Sequence, residues 1–404
     1  MEKMVIHKPK NLNDALTFLI IGYTISTMLQ GIIPFSLNKL FVFVILLVLL
    51  VNAMKKLTIR RTVLFIYMFL LLLYNAFFSV DTNQAIHDWI YFFTTLLLLE
   101  YVTGNNLDAL DVSFEKNKYL IILITYGLFF ITFISLFLSA NYDFVWGDGI
   151  YFMGFVRNTH VMASSSCLLM ALILHDSYEK DFSYVNMLML LLMLFIIFQT
   201  GARTYIIPSS LMCYLYIKGK IKGKLKKTLL ISIAIFAILL IFFKSGMYEK
   251  FLWSSNAENQ WVTNSLTSST GGRSVFWLID LKAFINSNVF NFIFGHGFDY
   301  VFLLNEKMYG IRIWAHNDII NLLLSTGLFG TLYYLMFWKN FFKLITGKKQ
   351  RIFLIIMLIY VLFPMIFNGM YTTQHYFFSV LILFITIRRK INHDNELSEG
   401  EIYG

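Results

Sequence analysis

Apolar and polar stretches alternate along the whole chain, and this pattern predicts membrane-spanning helices. A helix needs about 20 residues to cross a bilayer. Several of the apolar runs are shorter than that, so we expect flanking residues to complete them. The twelve predicted spans are residues 15–33, 40–54, 62–80, 90–103, 119–140, 161–175, 185–200, 204–217, 228–246, 317–338, 352–369 and 376–387.

The predicted fold class is therefore all-α, a polytopic integral membrane protein with about 12 transmembrane helices. Composition agrees, because 58% of the residues are hydrophobic and 14% are charged, whereas soluble domains carry about 25% charged residues. These values exclude an ordinary soluble enzyme and a disordered chain. The first span follows a polar N-terminus without a small-residue cleavage site, so we expect it to be retained.

The basic residues predict the orientation of the spans. With the N-terminus inside, the inner segments hold 24 of the 33 lysines and arginines, as the positive-inside rule expects. The tract KGKIKGKLKK at 218–227 is the strongest cytoplasmic marker. Both termini are thus predicted to be cytoplasmic. The same placement accounts for the formal net charge of +10, so nucleic acid is not an expected partner.

The chain reads as a single transmembrane domain over residues 1–390, followed by a loose polar cytoplasmic tail at 391–404. Its one large extracytoplasmic loop covers about 247–316, and loops of this length are usually functional. Residues 273–288 are amphipathic and predict a helix in the membrane interface. Residues 288–302 are apolar enough to pack against the helices or dip between them.

Two arginines predicted on the outer side lie at positions where a functional role is worth considering. Arg203 lies between two apolar spans, where a charge costs a few kcal/mol. It either extends to the outer headgroups or binds an anion, since guanidinium matches phosphate oxygens. Arg273 follows two glycines at a predicted helix start. That start is either an anion-binding helix N-terminus or a flexible turn.

His316 lies at the outer start of the tenth span and is the histidine best placed for chemistry. It is either a general base, because its ordinary pKa lies near neutrality, or an interfacial histidine satisfied by backbone groups. Arg312 precedes it by four residues and would share its face if that stretch were helical. Arg157 and His160 lie together just before the sixth span.

Several motifs are absent from the sequence. It contains no GxxxxGK[ST] loop for ATP, and its outer loops contain no HExxH motif and no pair of CxxC motifs. ATP-driven transport is therefore not expected, and neither a metal site nor a cofactor is predicted.

The outer residues resemble a known bacterial superfamily. The spacing of His316, Asn317, Gly327 and Gly330 is similar to the signature of O-antigen ligases. Wzy-type polymerases of O-antigen and capsule repeat units share the surrounding arrangement, with a large outer loop between late spans. The resemblance covers about residues 150–340, and it includes the motifs TGAR at 200–203, GGRSVFW at 271–277 and FGHGF at 294–298.

This resemblance implies a metal-independent, inverting glycosyltransferase on the outer face of the bacterial cytoplasmic membrane. Its donor and acceptor would be oligosaccharides linked to undecaprenyl pyrophosphate in the lipid bilayer. Arg203 and Arg273 would bind the leaving pyrophosphate, and His316 would accept the acceptor's proton. The implied contacts to pyrophosphate or sugar come from Arg157, His160, Arg312, Asn317, Gly327 and Gly330.

The resemblance does not separate two reactions, and we expect the polymerase because such enzymes are more numerous and more divergent. A polymerase joins repeat units, whereas a ligase moves a finished glycan to another acceptor. The paired arginine–ten–glycine motifs of some polymerases are missing, because no glycine lies eleven positions after the outer arginines. A lipid-linked sugar flippase or secondary transporter is the alternative of another class. A chain-length regulator and a flippase are further partners to consider.

Overall fold

The computed structural model describes residues 11–33, 37–146, 149–177, 181–220, 223–248, 250, 273–345 and 350–403. About 82% of the structure is helical. The α-helices within the described ranges are α1 Leu12–Met28, α2 Leu37–Met54, α3 Ile59–Phe78, α4 Thr82–Tyr101, α5 Leu107–Lys116, α6 Lys118–Ser135, α7 Thr159–Ser177, α8 Tyr184–Gln199, α9 Ile206–Lys220, α10 Lys224–Phe243, α11 Arg273–Ile285, α12 Val289–Phe294, α13 Tyr300–Tyr309, α14 Asp318–Lys343, α15 Arg351–Phe367 and α16 Gln374–Tyr403.

Each of the twelve predicted spans falls on a helix of the structure. Among the described residues, α2, α3, α6 and α14 are long and apolar enough to cross a membrane. The full count of twelve crossings and the orientation stay predictions. The tail at 391–404 was predicted to be loose. In the structure α16 continues through these residues to Tyr403.

The apolar surface is distributed as a membrane protein requires. Leu47, Phe69 and Phe130 are exposed on α2, α3 and α6, where water contact would be unfavourable and lipid contact is not. The centre is formed by α7 and α16, which are buried along most of their apolar length. The small residues at 163–166 let neighbouring helices approach α7 closely.

Charged groups on the predicted inner side pair with one another. Arg389 of α16 donates to Asp111 of α5 at 2.5 Å, and Lys116 lies 2.9 Å from Asp14 of α1. Both pairs join segments that the orientation rule assigns to the same side. The described contacts are therefore consistent with the predicted topology.

A short β-hairpin that the sequence did not predict lies between α6 and α7. Strands β1 (Tyr142–Trp146) and β2 (Gly149–Phe152) pair antiparallel, with Tyr142 opposite Phe152. Their aromatic and β-branched residues favour strand pairing. The hairpin ends just before the turn that leads into α7.

The large outer loop is anchored to the end of α3. The predicted interfacial helix is present as α11, while the loop residues 251–272 lie outside the described ranges. The Asp299 carboxylate accepts a hydrogen bond from the Val80 amide at 2.7 Å, and the Asn75 side chain accepts one from the Phe298 amide at 2.9 Å. These bonds fix α12 and α13 against the helical bundle.

Helix α14 begins with an N-cap and is interrupted by a glycine. The Asn317 side chain accepts a hydrogen bond from the Ile320 amide at 3.1 Å, the usual role of asparagine at this position. Gly327 has φ +66, and a Cβ there would lie 2.4 Å from the Ile293 carbonyl oxygen. A Cβ at Gly330 would lie 2.7 Å from the Tyr67 hydroxyl. The structure thus gives all three residues capping or packing roles, while the substrate contacts that the resemblance implies for them stay a prediction.

Gly327→Ala should destabilise the protein by about 3 kcal/mol, because left-handed backbone strain and steric overlap with α12 add together. Gly310→Ala is the matched control, since its φ is +71 and a Cβ added there would meet nothing within 4 Å. Thermal unfolding of both variants in detergent measures the difference. Equal losses of stability would contradict a packing role for Gly327.

The buried carboxyl group of Asp280 lies inside the outer loop. Asp280 is 0% exposed, and within the described ranges neither carboxyl oxygen has a hydrogen-bond partner. Burial raises its pKa from 3.8 to about 7, and the neighbouring Asn305 side chain partly opposes this rise. The folded state therefore favours the protonated carboxyl. Its stability should fall as pH rises from about 4 to about 7 and change little from this group above that range.

Asp280→Asn should remove this pH dependence, because the amide occupies the same volume without ionising. The stability gain over the native protein is expected to grow between about pH 4 and pH 7. Thermal unfolding across that range measures it, with Asp143→Asn as the control because Asp143 lies on β1 and is exposed. A pH-independent difference between Asp280→Asn and the native protein would argue against a buried titrating carboxyl.

Candidate anion-binding site

Basic side chains from five separate segments meet on the predicted outer side. Lys250 has Arg203 and Arg273 as electrostatic neighbours. His316 and His160 each have both Lys250 and Arg273 as such neighbours. These five residues are called the cationic cluster below. They are widely separated in the sequence, so only the folded chain brings them together.

The C-terminal end of α15 organises the cluster. The Arg273 guanidinium donates a hydrogen bond to the Phe367 carbonyl. The next residue, Asn368, donates to the Tyr205 hydroxyl at 2.8 Å and is also a hydrogen-bonding neighbour of His316. One helix end therefore holds the start of α11, the turn before α9 and the loop before α14.

Asp318 binds the turn that follows the same helix end. Its carboxyl group accepts hydrogen bonds from the Met370 amide at 2.9 Å and the Tyr334 hydroxyl at 2.7 Å. Buried polar groups that are satisfied in this way hold their segments in one arrangement. The first turn of α14 is thus tied to the connection between α15 and α16, and His316 is positioned two residues upstream.

His316 has an unusual backbone conformation. Its φ is +51, and in the described ranges Arg157 is the other non-glycine residue with positive φ. Such strain persists where the surrounding structure enforces it, often at functional sites. Within those ranges the His316 Nδ1 atom has no hydrogen-bond partner.

The pKa of His316 lies well below its usual range. Burial is the largest cause, followed by the positive charges of Arg273 and Lys250, while the Asn368 hydrogen bond acts in the opposite direction. His316 is thus a neutral imidazole at neutral pH. A neutral imidazole can accept a proton, as a general base must.

The pKa values of the neighbouring guanidinium and ammonium groups are lowered by the same effects. Burial lowers the pKa of Arg273 to about 10, with a further contribution from Arg203. The pKa of Lys250 is lowered by burial and then by Arg203 and Arg273. Lys250 is 6% exposed, whereas Arg203 and Arg273 keep part of their surface open. An anion that reaches the two arginines would offset the repulsion.

The structure gives two predicted binding residues other neighbours. Arg312 forms ion pairs with Asp81 at 2.6 Å and with Glu306 at 3.2 Å. Residues 311–315 are not helical, so Arg312 and His316 do not share a helix face. Arg157 is exposed, and its Cγ would lie 3.0 Å from a Cβ added at Gly31.

Four residues predicted from the sequence lie together in the structure: Arg203, Arg273, His316 and His160. Nothing in the sequence marked Lys250 or Tyr205 as members of the site. Lys250 could be recognised only as one of several outer basic residues, because charge alone does not predict burial. Tyr205 lies in an apolar run where a buried tyrosine is unremarkable.

The cluster is suited to hold an anion. In the described ranges no three His, Cys, Asp or Glu side chains are grouped so that they could hold a metal ion. Arginine and lysine with a neutral histidine form a set that binds phosphate groups and accepts a proton.

The chain matches no family model, no curated protein and no solved structure.

Proposed function

We propose that this chain is a membrane glycosyltransferase that joins undecaprenyl-pyrophosphate-linked oligosaccharide repeat units into O-antigen or capsular polysaccharide. The reaction would take place on the outer face of the bacterial cytoplasmic membrane. The observation that carries the proposal is the convergence of Arg203 and Arg273 with a neutral histidine, His316. Those residue types can stabilise a leaving pyrophosphate and accept the proton of a hydroxyl group.

The arginines support the departure of the lipid pyrophosphate. When the bond to the anomeric carbon breaks, negative charge develops on the phosphate oxygen. Fixed cations stabilise such charge most strongly where water is excluded. Arg273 is held by the Phe367 carbonyl, so its orientation is set before the substrate arrives. Arg203 lies beside it as an electrostatic neighbour.

His316 supports the activation of the acceptor. Positive neighbours depress its pKa in the free enzyme. An anionic pyrophosphate bound among those neighbours would oppose their effect and raise the basicity of His316. The histidine would therefore become a better base when the donor is present. The acceptor hydroxyl would transfer its proton to this ring as the new glycosidic bond forms.

An apolar groove supports binding of a lipid chain. The groove lies between α3, α12 and α14, has a volume of about 320 Å³, and includes Leu70, Tyr74, Phe290, Phe294 and Phe329 in its lining. Leu70 and Phe290 are exposed at its surface. In the membrane this surface is open to lipid, so an isoprenoid chain can lie along it without contact with water.

A ligase would use the same donor site. It would differ in passing a finished glycan to another acceptor, so the size of the product separates the two reactions. A flippase or transporter would leave the mass of its substrate unchanged.

The native protein in nanodiscs, supplied with its lipid-linked repeat unit, should yield a ladder of products spaced by one repeat. His316→Ala should abolish the ladder, because no base remains to accept the acceptor proton. Gel electrophoresis of the products measures this, and thermal unfolding verifies that the variant is folded. Lys307→Ala is the control, since Lys307 is exposed on α13.

A full ladder from folded His316→Ala would remove the base assignment. A single transfer by the native protein onto an added acceptor would favour the ligase. Movement of unchanged substrate across the membrane would favour the transporter.

Leu70→Trp should reduce turnover of the lipid-linked donor several-fold, because the indole ring fills part of the groove. Leu123→Trp is the matched control, since both leucines are 58% exposed on apolar helices and Leu123 lies on α6, away from the groove. Initial rates at limiting donor concentration measure the effect. Equal rates for the two variants would exclude the groove from donor binding.

A further inference from the structure

A tryptophan of α11 is bonded to the peptide that precedes His316. Trp277 lies four residues after Arg273 on that helix, and its indole Nε1 donates a hydrogen bond to the Ala315 carbonyl oxygen at 2.7 Å. Ala315 is 0% exposed, and residues 311–315 belong to no helix or strand. The indole therefore satisfies a buried carbonyl group for which regular secondary structure supplies no donor.

Packing holds the indole ring in place for this bond. Trp277 is partly buried against an apolar cluster that includes Ala315 and Ile320. The centroid of its ring lies 6.1 Å from that of the Phe367 ring, and the carbonyl of Phe367 accepts the hydrogen bond from Arg273. The ring is thus held by the loop before α14 and by the end of α15, so the direction of its N–H bond is set by its surroundings.

The chain that follows His316 is fixed as well. The Asn317 side chain accepts a hydrogen bond from the Ile320 amide at 3.1 Å, which anchors it at the start of α14. The Asp318 carboxyl group accepts one from the Met370 amide at 2.9 Å. The backbone on both sides of His316 is therefore held, on one side by the indole and on the other by the first turn of α14.

The φ torsion of His316 depends on the peptide that the indole holds. This torsion sets where the side chain points relative to the preceding peptide, which contains the Ala315 carbonyl. Its value of +51 lies in the left-handed region, which residues other than glycine adopt where their surroundings enforce it. If the Ala315 peptide were free to turn, the backbone would relax toward negative φ. The imidazole ring would then point in another direction.

We infer that Trp277 is a positioning residue for the base. Its indole N–H holds the Ala315 peptide in the orientation that keeps His316 in the left-handed conformation, and the imidazole ring is thereby directed at the acceptor hydroxyl. This inference rests on the proposed function and adds to it a residue that acts through His316. A base works only within hydrogen-bond reach of the proton that it accepts, so a small rotation of the ring slows the reaction while the substrate still binds.

The test removes the indole N–H and keeps an aromatic ring at position 277. Trp277→Phe lacks the N–H group, and 3-benzothienylalanine incorporated at the same position replaces it by sulfur within fused rings of similar shape. Trp89→Phe is the matched control, because the Trp89 indole on α4 also donates to a backbone carbonyl, that of Met68, at 2.9 Å. Initial rates of coupling by the full chain in nanodiscs, at varied concentrations of lipid-linked repeat unit, give kcat and KM.

Trp277→Phe and the benzothienyl variant should each lower kcat about tenfold, as expected for a base moved out of line. The KM for the repeat unit should change by less than about twofold, because the substrate contacts remain. Trp89→Phe should keep the native kcat. Thermal unfolding should show similar losses for Trp277→Phe and Trp89→Phe, since each removes one hydrogen bond to a backbone carbonyl.

A native kcat for the benzothienyl variant would overturn the inference, because packing of the ring and not its N–H group would then matter. An equal loss of kcat in Trp89→Phe, or a raised KM with native kcat in the Trp277 variants, would also overturn it. If neither Trp277 variant folds, Trp277 is structural and the inference fails.

The outcomes for the proposed function are separate. A native protein that forms no product would reject the proposed function together with this inference. Native turnover that is unaltered in both Trp277 variants would reject only the role of Trp277.

Discussion

Electrostatic repulsion within the cationic cluster is the constraint that the structure around the candidate site must offset. Arg203, Lys250 and Arg273 are brought close together where water is partly excluded, and like charges repel most strongly in such surroundings. Burial lowers the pKa values of all three, and repulsion lowers those of Lys250 and Arg273 further. An anionic ligand bound beside these residues would oppose their mutual repulsion.

Hydrogen bonds from a single helix end hold Arg273 and His316 of the cluster in place. The final turn of α15 supplies the Phe367 carbonyl to Arg273, and the Asn368 side chain that follows it bonds to Tyr205. Asp318 binds the following turn from α14. Because these bonds join segments from across the chain, movement of α15 would change several members of the site together. The position of α15 thus couples the helical bundle to the candidate site.

The same electrostatics link binding to catalysis in the proposed reaction. His316 is neutral because burial and its positive neighbours disfavour the imidazolium form and lower its pKa. An anion between those neighbours would raise its basicity at the moment when the acceptor must lose a proton. Binding of the donor would therefore prepare the base, and no separate conformational change is needed for this step. The strained backbone of His316 fits a residue held in place by its surroundings.

Much of the secondary structure could be predicted because its cause is local. Apolar runs of sufficient length predict helices wherever they occur, and all twelve fall on helices in the structure. The amphipathic stretch at 273–288 likewise predicted α11. Asn317 is an N-cap that the sequence makes visible, although the resemblance assigned it to the substrate. The β1–β2 hairpin was missed, because short strands between spans leave a weaker periodic signal.

The site was only partly predictable from the sequence. Arg203 and Arg273 could be recognised because a charge beside an apolar span is unfavourable without a partner. His316 could be recognised because it lies at the outer start of a predicted span. The burial of Lys250 and the bonds made by Asn368 depend on which segments meet, and many helix arrangements satisfy the same hydropathy. The sequence by itself determined where helices form and which residues could bind an anion. Only the tertiary structure decided which of them converge, because that choice is made by packing and hydrogen bonds between distant helices.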